Sequence, residues 1–345
     1  MSHRVDILGV KIDAVTFNQA LTQIEQFVKD GRKHLVVTPY AESIIAAQTD
    51  TEFRGILNGA DLAVPDGGSL LAAAKFLQIA NGQWPIDNSR DEAASTCHSS
   101  ERWNPESGGF RLSPEVNRLG RNDKVHRYDV VQIANFQWWK FIFCGLKVGL
   151  ALMFNRKYLD VLPETVTGTD LTAALCELAA KNGWKVFFLG GWKGAAEKAA
   201  STVKKKYPGL IIESFEGSQR INKETSEEHK AVRERLAAFS PDLLFVAYGP
   251  VTQEKWLAKN LPELPVKVAI GVAGAFDMIA GLKPRAPSGM RKAGLEWLWR
   301  LLIEPARWRR IFTATVIFPL RVFSSAVNIN TAPGRCNLHL PGERE

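Results

Sequence analysis

Cysteine and histidine are scarce in this sequence and poorly spaced for chemistry. The four cysteines, Cys97, Cys144, Cys176 and Cys336, form no CxxC pair and no Cys/His ligand spacing. That argues against a disulfide framework and against a zinc site, so no metal ligands are expected. The six histidines are dispersed, and no Ser/His/Asp or Cys/His arrangement emerges. No apolar h-region follows the charges in Met1 to Gly9, which predicts no secretory signal and a chain that stays in the cytosol. No run of about 20 apolar residues is free of charge. The nearest, Phe136 to Phe154, carries Lys140 and Lys147, which favours an interfacial or re-entrant helix over a true span. Ile311 to Leu320 reads as too short to cross.

What is present is an ordinary globular composition with an uneven charge. Hydrophobic residues make up 46%, enough for a sizeable core. The formal net charge is +8, and two segments carry it. Residues 283–310 hold eight Lys or Arg against Glu296 and Glu304, and residues 135–158 hold four with no acid. The rest is slightly acidic, which speaks against a nucleic-acid binder. Both basic segments are rich in Trp and aliphatic residues, a mixture suited to an anionic membrane surface.

Periodicity divides the chain. Residues 5–77 read as β-α-β-α-β-α. Helix 17–30 follows the i, i+3, i+4, i+7 pattern, with a Thr16/Gln19 capping box. Strands follow at 35–37 and 62–64, with helical segments near 41–48 and 51–58 between them. From 159 the alternation resumes: helices at 170–181, 194–206, 224–239 and 252–260, and strands at 186–189, 210–214, 243–247 and 267–272. This predicts an α/β fold, a Rossmann-like and mostly parallel sheet with helices on both faces. The expected organisation is one domain from 1–77 and 159–282, an insertion at 78–158, a basic, Trp-rich appendage at 283–328, and a tail at 329–345. The insertion shows no sustained period between 81 and 126 and is read as partly disordered.

Four constellations carry chemistry. Phe188-Leu-Gly190-Gly191 ends a strand before a helix, a turn whose N–H groups can face a diphosphate. It is no strict G-x-G-x-x-G, and no acid ends the next strand to hold a ribose, which lowers a NAD reading. Tyr248 to Trp256 follows a strand, with Gln253 and Glu254 in the first turn of a helix. Thr38 and Asp66 lie just past two strand ends, where open α/β sheets bind ligands. A carboxylate there can serve as a general base, although Pro-Asp-Gly is also a plain turn sequence. The fourth stretch, Lys283 to Arg310, offers arginines for bidentate contact with phosphates, or else an amphipathic helix packed on the core.

Taken in order, these pieces resemble the WecG/TagA/CpsF glycosyltransferases. The matching motifs include Val37-Thr-Pro-Tyr-Ala-Glu42, Ala60-Asp-Leu-Ala-Val-Pro-Asp-Gly67, Val166-Thr-Gly-Thr-Asp170, Gln253-Glu-Lys-Trp256, Gly271-Val-Ala-Gly-Ala-Phe-Asp277 and Lys283-Pro-Arg-Ala-Pro287. The resemblance covers about 5–77 and 159–310. It implies inverting transfer of N-acetylmannosamine, its uronic acid or a related sugar from a UDP-sugar. The acceptor it implies is undecaprenyl-diphosphate-linked N-acetylglucosamine, on a path to teichoic acid or another surface polysaccharide. Asp66 is then the candidate base and Thr38 a substrate-positioning residue. Gly67, Gly190, Gly191, Tyr248, Gln253, Glu254, Arg285, Arg291 and Arg300 are the substrate-binding candidates. No cofactor or bound metal is expected, and the chain should sit peripherally on the inner face of the cell membrane. A homo-oligomer stays open. Tyr40 stands where the family usually has Asn, and Thr165 where an Arg is common. A nucleotide-dependent epimerase or oxidoreductase, and a membrane-associated scaffold with altered catalysis, are the competing readings.

Overall fold

The computed structural model describes residues 3–81, 142–218, 221–287, 289–290 and 295–331. Residues 82–141 of the expected insertion, the tail from 332, and Arg291, Cys97 and Cys336 lie outside the described residues.

The chain begins with a hairpin rather than with a strand of the main sheet. Strands β1 (Arg4–Ile7) and β2 (Val10–Asp13) pair antiparallel across Leu8-Gly9. The hairpin then docks on the sheet edge. Asp13, 1% exposed, accepts the Ala63 N–H at 2.8 Å and pairs with Arg4 at 3.1 Å. The opening β of the expected β-α-β-α-β-α is therefore an edge clasp, because the turn reverses the chain before a crossover can form.

The main sheet is parallel throughout. Its strands are β3 (His34–Val37), β4 (Leu62–Ala63), β5 (Lys185–Gly190), β6 (Ile211–Phe215), β7 (Leu243–Ala247) and β8 (Val268–Gly271). Their order is β4-β3-β8-β7-β5-β6. The helices in chain order are α1 (Phe17–Lys29), α2 (Ala41–Thr49), α3 (Thr51–Gly59), α4 (Gly68–Ala80) and α5 (Ile142–Phe154), then α6 (Gly168–Asn182), α7 (Ala195–Lys206), α8 (Ser226–Phe239), α9 (Thr252–Asn260) and α10 (Ala275–Ile279). After these come α11 (Glu296–Ile303), α12 (Trp308–Phe312) and α13 (Phe318–Thr331).

Two cores sandwich the sheet. Alternate residues of each strand point to opposite faces. Val36, Val186, Phe188, Leu243 and Phe245 meet α1, α6, α7 and α10. Leu35, Val37, Phe187, Leu189, Leu244 and Val246 meet the helices from α2 to α4 together with α8 and α9. Burial on both faces is why these strands read as unbroken apolar runs. Each fully buried Phe or Leu contributes about 1.5–3 kcal/mol of transfer free energy. The Thr16/Gln19 capping box is present, and Thr225/Glu228 forms a second one at α8.

The last elements depart from expectation. Residues 305–327 run as one helix of 23 residues, long and apolar enough to cross a membrane by length and composition. The short apolar run at 311–320 understated it, because the helix continues through charged flanks. A π-helical turn at Thr313–Ile317 lies just before Pro319. Proline has no N–H to give the preceding turn, and the widened turn accommodates that loss without a break. Helix α4 continues to Ala80, beyond the expected boundary at 77. The described end of the insertion is ordered. Helix α5 buries Val148 and Ala151 in the same core as α4, and nearby Lys75 pairs with Asp160 at 2.8 Å.

Candidate active site

A cleft of about 1560 Å³ opens along the carboxyl edge of the parallel strands. Ligands of open α/β sheets bind at this edge. Its floor is made by the loops after β3, β4, β5, β7 and β8, and its far wall by the C-terminal helices folding back.

Asp66 sits on that floor. Two hydrogen bonds fix its loop: its own N–H donates to the Pro39 carbonyl at 2.9 Å, and the Val166 N–H donates to the Pro65 carbonyl at 2.8 Å. The carboxylate accepts a long contact from the Gly168 N–H at 3.4 Å, at the N-terminus of α6. Burial pushes the carboxyl up to about 6, and the Arg300 guanidinium and the Gly168 N–H hold it back from rising further. Glu296 and Asp170 push it the same way as burial. A carboxylate with a value near 6 is charged at neutral pH and still basic enough to take a hydroxyl proton.

The basic wall is tethered by acids. Arg310 donates to Glu42 at 2.8 and 2.9 Å and to the Tyr40 hydroxyl at 3.0 Å. Arg285 donates to Asp170 at 2.5 Å, and Arg300 to Glu296 at 2.8 Å. Lys283 bridges Asp277 at 2.6 Å and Glu304 at 3.1 Å, and Glu304 also pairs with Arg307. All of these cations line the cleft. The acids set the direction of each side chain and leave further N–H groups for an anion. The Tyr40 phenol is partly buried, and that desolvation raises its pKa far above the ordinary value despite Arg310.

The glycine turn after β5 is forced. Gly190 and Gly191 have φ of +95° and +82°. A Cβ on Gly191 would stand 3.1 Å from the Ala195 Cβ and 3.3 Å from the Ala196 nitrogen, at the start of α7. Trp192 follows, 61% exposed and facing the same cleft.

The structure sorts the expected site residues into two layers. Asp66, Gly67, Gly191, Tyr248, Arg285 and Arg300 line the cleft. Thr38, Gly190, Gln253 and Glu254 are not among its lining residues. Thr38 is buried and its hydroxyl donates to the Gly271 carbonyl at 3.1 Å, so it braces β3 against β8 below the floor. Gln253 accepts the Ala273 N–H at 2.9 Å and donates to Glu254 at 2.8 Å, which holds the loop after β8. Glu254 is 5% exposed, and burial pushes its carboxyl up to about 7. These residues shape the floor from beneath. Arg291 lies outside the described residues.

The sequence placed Lys283 and Arg310 only within a basic stretch, and it announced neither the Arg310–Glu42–Tyr40 cluster nor Trp192 in the cleft. Glu42 was legible as the acid in the first turn after β3. Its partner lies 268 residues away, and no local pattern could announce that.

A parallel sheet whose carboxyl edge gathers a floor carboxylate, a glycine turn and several tethered cations defines a Rossmann-like protein with an anion-binding cleft. The chain belongs to the glycosyl transferase WecG/TagA/CpsF family, whose model matches residues 5–85 and 147–331. Curated relatives carry the name N-acetylglucosaminyldiphosphoundecaprenol N-acetyl-beta-D-mannosaminyltransferase. The one from Bacillus spizizenii is 34% identical over 152 residues, 44% of this chain and 57% of the relative. That from Bacillus subtilis is 28% identical over 202 residues, 59% of this chain and 73% of the relative. A Staphylococcus aureus relative is 33% identical over 150 residues, 44% of this chain and 56% of the relative. Against two of these three, the chain spans a little over half the relative's length.

Proposed function

We propose that this protein transfers N-acetylmannosamine, or a closely related sugar, from a UDP-sugar to N-acetylglucosamine on a polyprenyl diphosphate. The observation that carries the reading is Asp66, a carboxylate with a value near 6 on a cleft floor faced by tethered arginines. The relatives' names supply the sugar and the lipid-linked acceptor.

In this reading Asp66 takes the proton of an acceptor hydroxyl as that oxygen attacks the anomeric carbon. The bond from the anomeric carbon to the diphosphate oxygen breaks, and its electron pair leaves with UDP. Attack from the face opposite the leaving group inverts the anomeric centre. Charge then builds on the diphosphate. Arg285, Arg300 and Arg310, which line the cleft, meet that charge without a metal. Trp192 offers a flat face to the base. Thr38, Gln253 and Glu254 act one layer below, by holding the loops that carry these groups.

The appendage is the membrane-facing part of this reading. Leu302, Trp308, Phe312 and Leu320 are exposed at 67%, 55%, 48% and 62% on helices that also carry Arg307, Arg309 and Arg310. Exposed aromatics beside arginines suit a headgroup boundary. The protein would then sit peripherally on the cytoplasmic face, where the acceptor lipid is anchored.

UDP release from purified protein in detergent tests the reading. The donors are UDP-N-acetylmannosamine and its uronic acid, with a lipid-diphosphate-N-acetylglucosamine acceptor. Acceptor-dependent release that disappears in Asp66→Asn supports it. Folded protein that releases UDP with neither donor rejects this donor class.

A further inference from the structure

The cleft has a second half that the transfer chemistry does not use. Away from Asp66 it becomes an apolar trench between α4, α5 and α13. Ala72 of α4 with Ala314 and Phe323 of the C-terminal helix form one side, and Phe76, Phe318 and Val322 are nearly fully buried at its base. Gly145, Val148, Gly149 and Leu152 of α5 form the other, at helical spacing i, i+3, i+4 and i+7. The two glycines of that stripe keep the trench open. Among the described residues, Gly149 has nothing within 4 Å of where a Cβ would stand, and a Cβ on Gly145 would make only ordinary contact with Phe76 at 3.7 Å. The opposite face of α5 carries Phe143, Leu146, Leu150 and Phe154, all exposed. The helix is about 20 Å long. The family model matches only residues 147 onward here, so the first turn of α5 falls outside the matched region.

We infer that this trench holds the first isoprene units of the acceptor's lipid chain, with α5 as a wall. The occupant follows from continuity. The trench belongs to the same cleft as the cations that would hold a diphosphate, Arg300 and Arg310, and its wall α5 exposes an apolar outer face. A chain attached to a diphosphate at that point can pass from the polar half into the membrane without crossing water. The inference rests on the lipid-linked acceptor of the proposed function and adds where its hydrocarbon lies.

Two measurements test it. The first is the ratio of kcat/KM for a fifteen-carbon polyprenyl acceptor to that for an acceptor with a short alkyl chain. Gly149→Leu places a side chain in the open trench and favours the helix, so thermal unfolding should show a folded protein. The ratio should fall about tenfold, as several buried methylenes are displaced. A ratio equal to that of the wild type overturns the inference. The second uses unmodified protein and farnesyl diphosphate carrying a benzophenone at its far end. Crosslinks within 142–152 and 318–323 support the trench, and crosslinks confined to other segments overturn it. Crosslinks at the trench with no turnover of either acceptor would leave the trench standing and remove the transferase reading.

Discussion

Replacing Asp66 by asparagine should kill activity and raise stability at the same time. Asparagine keeps the shape and can still accept the Gly168 N–H, so the loop should hold. It cannot take a proton, and loss of general-base catalysis costs about 10²–10⁴ in kcat/KM. The stability effect has the opposite sign. Burial raises this carboxyl from 3.8 to about 6, so the folded state holds the proton more tightly than the unfolded state. Stability from this group is therefore full below the unfolded value and declines as pH rises through 6. At neutral pH the charged carboxylate costs the fold at most about 3 kcal/mol, from about two pKa units at 1.36 kcal/mol each. Its partial opening to the cleft reduces this. Asp66→Asn should therefore unfold at a higher temperature at pH 7.5 and show little change at pH 4. The wild-type profile of kcat/KM should fall on the acid side near pH 6, two units above an ordinary aspartate. Thermal unfolding at both pH values and a UDP-release pH profile read these effects. An asparagine variant with more than about a tenth of wild-type activity would refute the base assignment. An acid limb near pH 4 would refute the raised carboxyl.

Other outcomes follow from the same geometry. Arg300→Gln removes a charge that holds the Asp66 carboxyl down, so the acid limb of the pH profile should move above 6. Gly191→Ala places a Cβ 3.1 Å from Ala195 at a φ of +82°, and should cost about 2 kcal/mol in denaturant unfolding and weaken UDP binding measured by calorimetry. Glu42→Gln releases Arg310 from its carboxylate, and steady-state kinetics should show KM rising by up to about tenfold with less change in kcat. Leu302→Asp with Trp308→Asp should lower sedimentation with anionic vesicles while leaving UDP binding in solution intact.

Much of the fold is legible in the sequence. Strand 243–247 and helix 252–260 coincide with β7 and α9. Both lie in segments where buried apolar runs alternate with amphipathic helical segments, and that signal is local. The hairpin at the start was less legible, since Arg4–Ile7 and Val10–Asp13 form one short stretch of alternating charged and apolar residues, and only the turn decides whether it pairs with itself. The length of the final helix was misjudged because its charged flanks interrupt the apolar run without interrupting the backbone.

The sequence by itself determined the parallel α/β class, the family likeness and the chemical character of the site. Strand and helix periods are short-range, and the order of motifs survives without knowledge of their contacts. Only the tertiary structure decided which of those motif residues face the cleft. Asp66 and Arg300 line it, while Thr38, Gln253 and Glu254 hold the floor from below. A residue just past a strand end can point to either side, and the direction is set by hydrogen bonds such as Thr38 to Gly271, 233 positions apart. The tethering of Arg310 by Glu42 and Tyr40 is of the same kind. It joins residues 268 and 270 positions apart, so it exists only once the chain has folded.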